Sequence, residues 1–151
     1  MKTVDIAVVG ICNVNYGPGG WACVLKYGEH ASERAGGDRC TTKRRMELQA
    51  VIESLQALRE PCEVFLHSDN QHLLNGILYW RNEWRLTNFV WMSKRLRDFL
   101  PDNDLWSTLD TIAEKHLIRS QFISANFSHP DKERCDKLAE AQATLHLGVP
   151  S

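Results

Sequence analysis

Short runs of alternating apolar residues predict five strands along the chain. The first, at residues 4–9, is rich in β-branched side chains and largely apolar on both faces, which predicts a central strand. Its alternation separates two sets of side chains, with Val4, Ile6 and Val8 on one face and Asp5, Ala7 and Val9 on the other. Similar composition predicts further strands at residues 21–27, 32–35, 62–67 and 118–123.

Apolar residues at intervals of three and four predict a long amphipathic helix between the third and fourth strands. Its stripe consists of Leu48, Val51, Ile52, Leu55 and Leu58. The helix is predicted to open after Thr41 and Thr42 and to run to about Arg59, because Pro61 stops it. A second helix is predicted to follow Asn70 and to reach about Tyr79.

Two more helices are predicted in the second half of the chain. One opens at residues 101–104 and runs to about Lys115, and the other runs from His129 and Pro130 to Leu147, before Gly148. The packed face of the last helix is predicted to contain Cys135, Leu138, Ala139, Gln142 and Leu145. Asp136 then lies on the edge of that face.

Glycine-rich segments predict where the early strands end. Residues 15–20 are dense in turn formers, which predicts a turn between the first two strands. Gly36, Gly37 and Asp38 are predicted to close the third strand.

Length and composition indicate one globular domain over residues 1–151, of α/β class. The net charge of -1 gives no global signal for a polyanion partner, so any nucleic-acid surface must be local. The five cysteines have neither CxxC nor CxxH spacing, which disfavours a disulfide framework and a zinc site. We expect a cytoplasmic protein, because no apolar run is long enough for a membrane span or a signal segment.

Glu47 is predicted on the inner edge of the first turn of the long helix. There it either complements the helix dipole or faces a site. The preceding cations Lys43, Arg44 and Arg45 oppose the same dipole, so an anionic partner is expected nearby. Asp69 also has two interpretations, because ligands gather at the carboxyl ends of strands whereas an aspartate that caps a helix is usually structural.

Aromatic and basic residues alternate after the second helix. Trp80 and Trp84 stand four residues apart, with Arg81 and Arg85 directly after them. Such a segment either stacks bases and holds phosphates or forms a packed helix pair whose arginines reach over it into solvent. The sequence leaves both interpretations open.

Several motifs occur together in a specific order. They are residues 17–20 (GPGG), Thr41 and Thr42 ahead of residues 45–48 (RMEL), residues 68–71 (SDNQ), residues 104–106 (DLW), and His129 and Pro130 ahead of residues 133–136 (ERCD). In this order and spacing the chain resembles bacterial type 1 ribonuclease H over about Val4 to Ala143. The resemblance implies a ribonuclease H-like fold, with a five-stranded mixed sheet of three antiparallel strands then two parallel ones, flanked by helices. It also implies an enzyme that cuts the RNA strand of RNA/DNA hybrids.

The resemblance further implies four carboxylates that hold two magnesium ions for phosphodiester cleavage. Three catalytic and metal-binding positions are retained as Glu47, Asp69 and Asp136, but Val9 stands where the family has the aspartate that bridges both ions. Asp5 lies on the same strand face about 13 Å away at ~3.3 Å per residue, so it cannot substitute. The loop histidine of the family corresponds to Asn126, and His129 matches a second, structural histidine.

The positions that bind substrate in the family are partly retained. Asn15, Thr42 and Gln71 stand where the resemblance places contacts to sugar and phosphate, and Trp80 and Trp84 fall in its basic handle. Lys43 and Arg44 replace two asparagines that read the minor groove, which favours phosphate contacts over hybrid selectivity.

These departures favour a nucleic-acid-binding protein with impaired cleavage and at most one weakly held Mg²⁺ or Mn²⁺ ion. One alternative is an active, metal-dependent ribonuclease for RNA/DNA hybrids. Another is a protein-interaction module that uses the segment from Trp91 to Leu100. We expect a monomer without membrane association.

Overall fold

The computed structural model describes residues 1–87, 90–92, 97–99, 102–124 and 129–147. Its strands are β1 (Lys2–Cys12), β2 (Gly17–Tyr27), β3 (His30–Thr41), β4 (Cys62–Ser68), β5 (Val90–Met92), β6 (Arg97–Phe99) and β7 (Leu117–Phe122). Its α-helices are α1 (Lys43–Gln56), α2 (Gln71–Asn75), α3 (Arg81–Leu86), α4 (Asn103–Ala113) and α5 (Pro130–Leu145), with a π-helical turn at Gly76–Trp80 between α2 and α3.

The main sheet has five strands in the order β3-β2-β1-β4-β7. Strands β1, β2 and β3 pair antiparallel, whereas β4 pairs parallel with both β1 and β7. This arrangement confirms the prediction of three antiparallel strands followed by two parallel ones, with the first strand in the centre.

Each face of the sheet has its own apolar core. Val4, Ile6 and Val8 of β1 point into the larger core, which α1, α2 and α4 cover. Ala7 and Val9 point into a smaller core, which α5 closes. The two faces predicted for the first strand are therefore confirmed, except that Asp5 is exposed.

Helix α1 begins after Thr42, whose Oγ1 accepts a hydrogen bond from the backbone N–H of Arg45 at 3.2 Å. Leu48, Val51 and Leu55 are buried as the stripe predicts. The helix ends at Gln56, earlier than the predicted Arg59, because the N–H of Leu58 bonds back only three residues to the carbonyl of Leu55.

The turn predicted at residues 15–20 is present only at Asn15 and Tyr16, and the prediction that Gly36 and Gly37 close the third strand is wrong. Residues 17–20 are the first four residues of β2, and Gly36 and Gly37 lie inside β3. A Cβ atom on Gly36 would come within 2.7 Å of the Trp21 ring, and one on Gly37 within 2.6 Å of the Gly19 carbonyl oxygen. These glycines let neighbouring atoms approach the strand backbone closely. From the sequence alone, a glycine with this role looks the same as a glycine in a turn.

The helix predicted to reach about Tyr79 instead has three parts. Helix α2 gives way to the π-helical turn, and α3 continues to Leu86. A Cβ atom at Gly76 would lie 2.5 Å from the Trp106 ring of α4, so the wider turn begins where this segment is pressed against α4.

Two other differences concern the second half of the chain. Strands β5 and β6 form a separate antiparallel pair that the sequence pattern did not predict. Leu145, predicted on the packed face of α5, is 73% exposed, whereas the ring of His146, the next residue, lies against Gly37 of β3. Among the helices described, none is long and apolar enough to cross a membrane.

Candidate active site

A cleft of about 350 Å³ opens where β1, β4, α1 and α5 meet. Its lining consists of Val9, Gly10, Ile11, Cys12, Asn13, Lys43, Asp69 and Asp136. Two of the three retained carboxylates therefore share one cleft with the valine that stands in the place of the missing fourth. The carboxyl end of β4 contributes Asp69 to this edge, as expected for a ligand site in an α/β sheet.

Asp69 does not cap the helix that follows it. The N-cap of α2 is Asn70, whose Oδ1 accepts from the backbone N–H of Leu73 at 3.2 Å. Ser68 Oγ in turn accepts from the backbone N–H of Asn70 at 3.0 Å. The structural interpretation of Asp69 as a cap is therefore wrong, and its carboxylate is directed to the cleft.

Glu47 is held behind the cleft rather than in its lining. It is the fifth residue of α1, not a first-turn residue, and it is only 4% exposed. The Asn70 Nδ2 group donates to both of its carboxylate oxygens, at 3.2 and 3.0 Å. Burial raises the pKa of Glu47, while the Asn70 hydrogen bond and the charge of Lys43 oppose that rise.

The absence of a side chain at Gly10 allows this placement of Glu47. A Cβ atom at Gly10 would lie 2.7 Å from Cγ of Glu47 and would also meet the backbone of α1. Strand β1 and helix α1 can therefore lie in direct contact beside the cleft.

Asp136 lies on the edge of α5, as predicted, and shares a cation with Asp69. The Nζ atom of Lys132 is 3.1 Å from Oδ2 of Asp136 and 3.6 Å from Oδ2 of Asp69. Sequence reasoning missed Lys132, although its position four residues before Asp136 puts both side chains on one side of α5.

Val9 is buried in the smaller core and also lines the cleft. Asp5 does not replace the missing carboxylate, because its Oδ1 is 3.0 Å from Nε2 of His67 and it is absent from the cleft lining. The central position of the cleft therefore offers a hydrocarbon surface.

These residues do not fit the pair of metal ions that the resemblance implies. Within the described ranges, no group of three His, Cys, Asp or Glu side chains is placed to hold a metal ion. Val9 offers no oxygen, Glu47 is engaged by Asn70, and Lys132 bridges the other two carboxylates. We therefore derive no catalytic step through magnesium or manganese.

Of the three cations at the start of α1, Arg45 has the expected anionic partners. It bonds Asp102 at 3.1 Å and Asp104 at 3.0 and 2.9 Å. Lys43 and Arg44 are exposed and form no ion pair with the residues that the structure describes.

The other residues predicted to bind substrate lie on the surface near the cleft. Asn15 and Gln71 are exposed and Thr42 is half-buried. Gln71 Nε2 donates to Asn75 Oδ1 at 2.9 Å. Asn126 lies outside the described residues. His129 is the N-cap of α5 and accepts from the backbone N–H of Lys132 at 3.2 Å, in agreement with a structural role.

Trp80 and Trp84 belong to a chain of rings that runs from the surface to the core. The ring centroid of Trp84 lies 4.9 Å from that of Trp106 in the larger core. The ring centroid of Trp80 lies 6.0 Å from that of Trp84 and 4.9 Å from that of His72. Arg81 and Arg85 pair with Asp110 and Glu114. For these two arginines the packed interpretation holds, because carboxylates already neutralise them.

Comparison with known proteins identifies the family. Residues 1–144 match the family model for RNase H. The chain belongs to the ribonuclease H family. Two similar relatives are the ribonucleases H of Rhizobium meliloti (40% identical, covering 92% of this chain and 89% of the relative) and Aeromonas hydrophila subsp. hydrophila (40% identical, covering 95% and 92%). These relatives place it with the bacterial type 1 enzymes.

Solved structures of ribonucleases H share the fold. LC9-RNase H1, a type 1 RNase H with the type 2 active-site motif, superposes with a TM-score of 0.80 at 19% identity and covers 96% of this chain and 74% of that one. The RNase H1 of Halobacterium salinarum NRC-1 gives a TM-score of 0.65 at 19% identity, covering 94% and 98%. At this identity the likeness supports the fold alone.

Proposed function

We propose that this ribonuclease H relative binds RNA/DNA hybrids or related nucleic acids and cleaves them far more slowly than an intact member of its family. The observation that carries this proposal is Val9, which presents an apolar side chain in the cleft beside Asp69 and Asp136. Loss of a carboxylate that bridges two ions is expected to cost ~4–6 kcal/mol of transition-state stabilisation, or roughly three to four decades in rate. Any magnesium or manganese binding should be weak and limited to one ion.

Nucleic-acid binding is supported by the surface around the cleft. Lys43 lines the cleft and Arg44 is exposed next to it, so both can meet a phosphate backbone. We propose that Asn15, Thr42 and Gln71 contribute polar contacts and that Trp80 and Trp84 contribute aromatic surface. A foamy viral protease-reverse transcriptase that was solved with an RNA/DNA hybrid shares this fold, with a TM-score of 0.69 at 16% identity, covering 95% of this chain and 20% of that one.

In this proposal Glu47, Asp69 and Asp136 carry any slow cleavage that remains. Asn70 fixes Glu47 behind the cleft, and Lys132 keeps Asp69 and Asp136 side by side. We also expect a monomer in the cytoplasm. The segment from Trp91 to Leu100, proposed for any protein partner, lies partly outside the described residues.

The test measures binding and cleavage separately on the purified chain. Fluorescence anisotropy with a labelled hybrid should give saturable binding, and a gel assay with Mg²⁺ or Mn²⁺ should show little or no cutting of the RNA strand. Asp69→Asn is the control, because cutting that survives this substitution comes from a contaminating nuclease. Asp69-dependent cleavage at the rate of an active relative would favour the active alternative. Absence of hybrid binding together with salt-insensitive capture of one protein would favour the interaction module.

Replacing both Lys43 and Arg44 with alanine should weaken hybrid binding and flatten its salt dependence. Each phosphate contact contributes about one unit to the slope of log affinity against log salt, so the slope should fall by roughly 1–2 units. The matched control is Arg59→Ala with Lys115→Ala, which removes two exposed cations away from the cleft. Equal affinity and slope in both double variants would make Lys43 and Arg44 an ordinary solvated surface.

A further inference from the structure

The cluster at the cleft contains a cation of its own. The Lys132 ammonium lies within 3.1 Å of Asp136 and 3.6 Å of Asp69, and its side chain is only 23% exposed. The two carboxylates come from different elements, one from the end of β4 and one from α5. A single side chain therefore joins the sheet and the helix across the cleft.

Local helix energetics do not explain a lysine at this position. Lys132 is the third residue of α5, where a positive charge opposes the helix dipole. A lysine placed four residues before an acidic partner is also the less favourable orientation for a helical ion pair. The bridge to both Asp69 and Asp136 offsets these penalties, since one ammonium group separates two negative charges.

We propose that Lys132 is the resident cation of this cluster and holds Asp69 and Asp136 together without a divalent ion. A divalent cation that approached these carboxylates would be repelled by the ammonium group and would find hydrocarbon at Val9. Restoring an aspartate at residue 9 is therefore insufficient by itself to create a metal site. The inference rests on the proposed function, because both concern Asp69 and Asp136. It adds a reason for slow cleavage.

The experiment compares two double variants that differ only at residue 132. Val9→Asp with Lys132→Gln removes the ammonium group, whereas Val9→Asp with Lys132→Arg retains a positive charge of similar reach. Thermal unfolding and titration calorimetry with Mg²⁺ and Mn²⁺ are measured without nucleic acid. The glutamine variant should bind metal at least about tenfold more tightly than the arginine variant. It should also melt at a higher temperature with metal than without metal. Equal metal binding by the two folded variants, including no binding by either, would overturn the proposal.

Single variants keep the test decisive if a double variant does not fold. Without metal, Lys132→Gln should melt below the natural chain and Mn²⁺ should restore part of the loss, while Lys132→Arg should behave like the natural chain. Lys26→Gln is the matched control, because it breaks a 2.6 Å pair with Asp131 on the same helix but outside the cluster. A metal-free Lys132→Gln protein that melts like the natural chain would contradict the proposal.

Failure of this inference differs from failure of the proposed function. Strong metal-dependent stabilisation of the natural chain would remove Lys132 as the resident cation, and hybrid binding could still be observed. Rapid hybrid cleavage would contradict the proposed function in a separate assay.

Discussion

Asp110→Ala should lower the free energy of unfolding by about 3–5 kcal/mol, the range for breaking a buried ion pair. Asp110 receives hydrogen bonds from Arg81 at 2.7 Å and from Arg85 at 2.8 and 2.6 Å. The side chains of Asp110 and Arg81 are only 9% and 12% exposed, so the substitution leaves a partly buried guanidinium whose remaining partners are Glu114 and the carbonyl oxygen of Ile77. Urea unfolding of the two proteins at neutral pH measures the difference.

Asp104→Ala is the matched control, since it also removes an aspartate–arginine pair from α4. Asp104 is 60% exposed in its pair with Arg45, so the loss should stay below about 1 kcal/mol. Similar losses in both variants would mean that burial does not govern the Asp110 cluster.

The same cluster predicts a pH dependence. Hydrogen bonds from Arg85 and Arg81 hold the pKa of Asp110 below its usual range. Its stabilising contribution should therefore be complete above the unfolded pKa of about 3.9 and should be lost as the pH falls through the lower folded pKa. In an acid titration, the free energies of unfolding of the natural chain and of Asp110→Ala should converge at low pH. A constant difference down to complete protonation would contradict this assignment.

Gly20→Ala should destabilise the chain by about 3 kcal/mol, at the upper end for overpacking a core. A Cβ atom at Gly20 would collide with the backbone carbonyl of Ala139 and would lie 2.8 Å from the backbone nitrogen of Ala143. Both atoms belong to α5, so relief requires the whole helix to move rather than one side chain to rotate. Thermal and urea unfolding measure the loss.

The displacement of α5 should also be visible at the cleft, because this helix carries Lys132 and Asp136. Gly28→Ala is the control: the new methyl group would have open space, and only the positive φ of 57° should cost about 1 kcal/mol. A Gly20→Ala protein as stable as Gly28→Ala would show that the sheet and α5 separate easily.

The sheet was predicted well because the features that specify it are either local in the sequence or follow a fixed order along the chain. The two faces of β1 follow directly from alternation, and the ordered motifs give the strand order through the resemblance. They also placed Asp69 and Asp136 at the same edge of the sheet as Val9. Each of these predictions depends on spacing, which the sequence contains.

Features that depend on tertiary contact were missed. Gly36 and Gly37 were predicted to end the third strand, because the sequence alone does not show that the Trp21 ring lies against Gly36. Asn70 rather than Asp69 is the cap, and it is held by hydrogen bonds to Ser68 and Glu47. Ser68 belongs to β4 and Glu47 to α1, so this choice depends on contacts between elements. Lys132 was overlooked because its distant partner, Asp69, lies directly after β4, far away along the chain.

The position of Val9 in the smaller core makes valine and aspartate unequal in stability at this residue. In this core Val9 packs beside Ala7, Cys135 and Ala139, so valine gains apolar contacts and removes one charge from a crowded acidic cleft. A return to aspartate would forfeit roughly 1–2 kcal/mol before any ion is bound. Without metal, the chain with valine at residue 9 is therefore more stable than its aspartate variant, and a bound ion would first have to offset that difference.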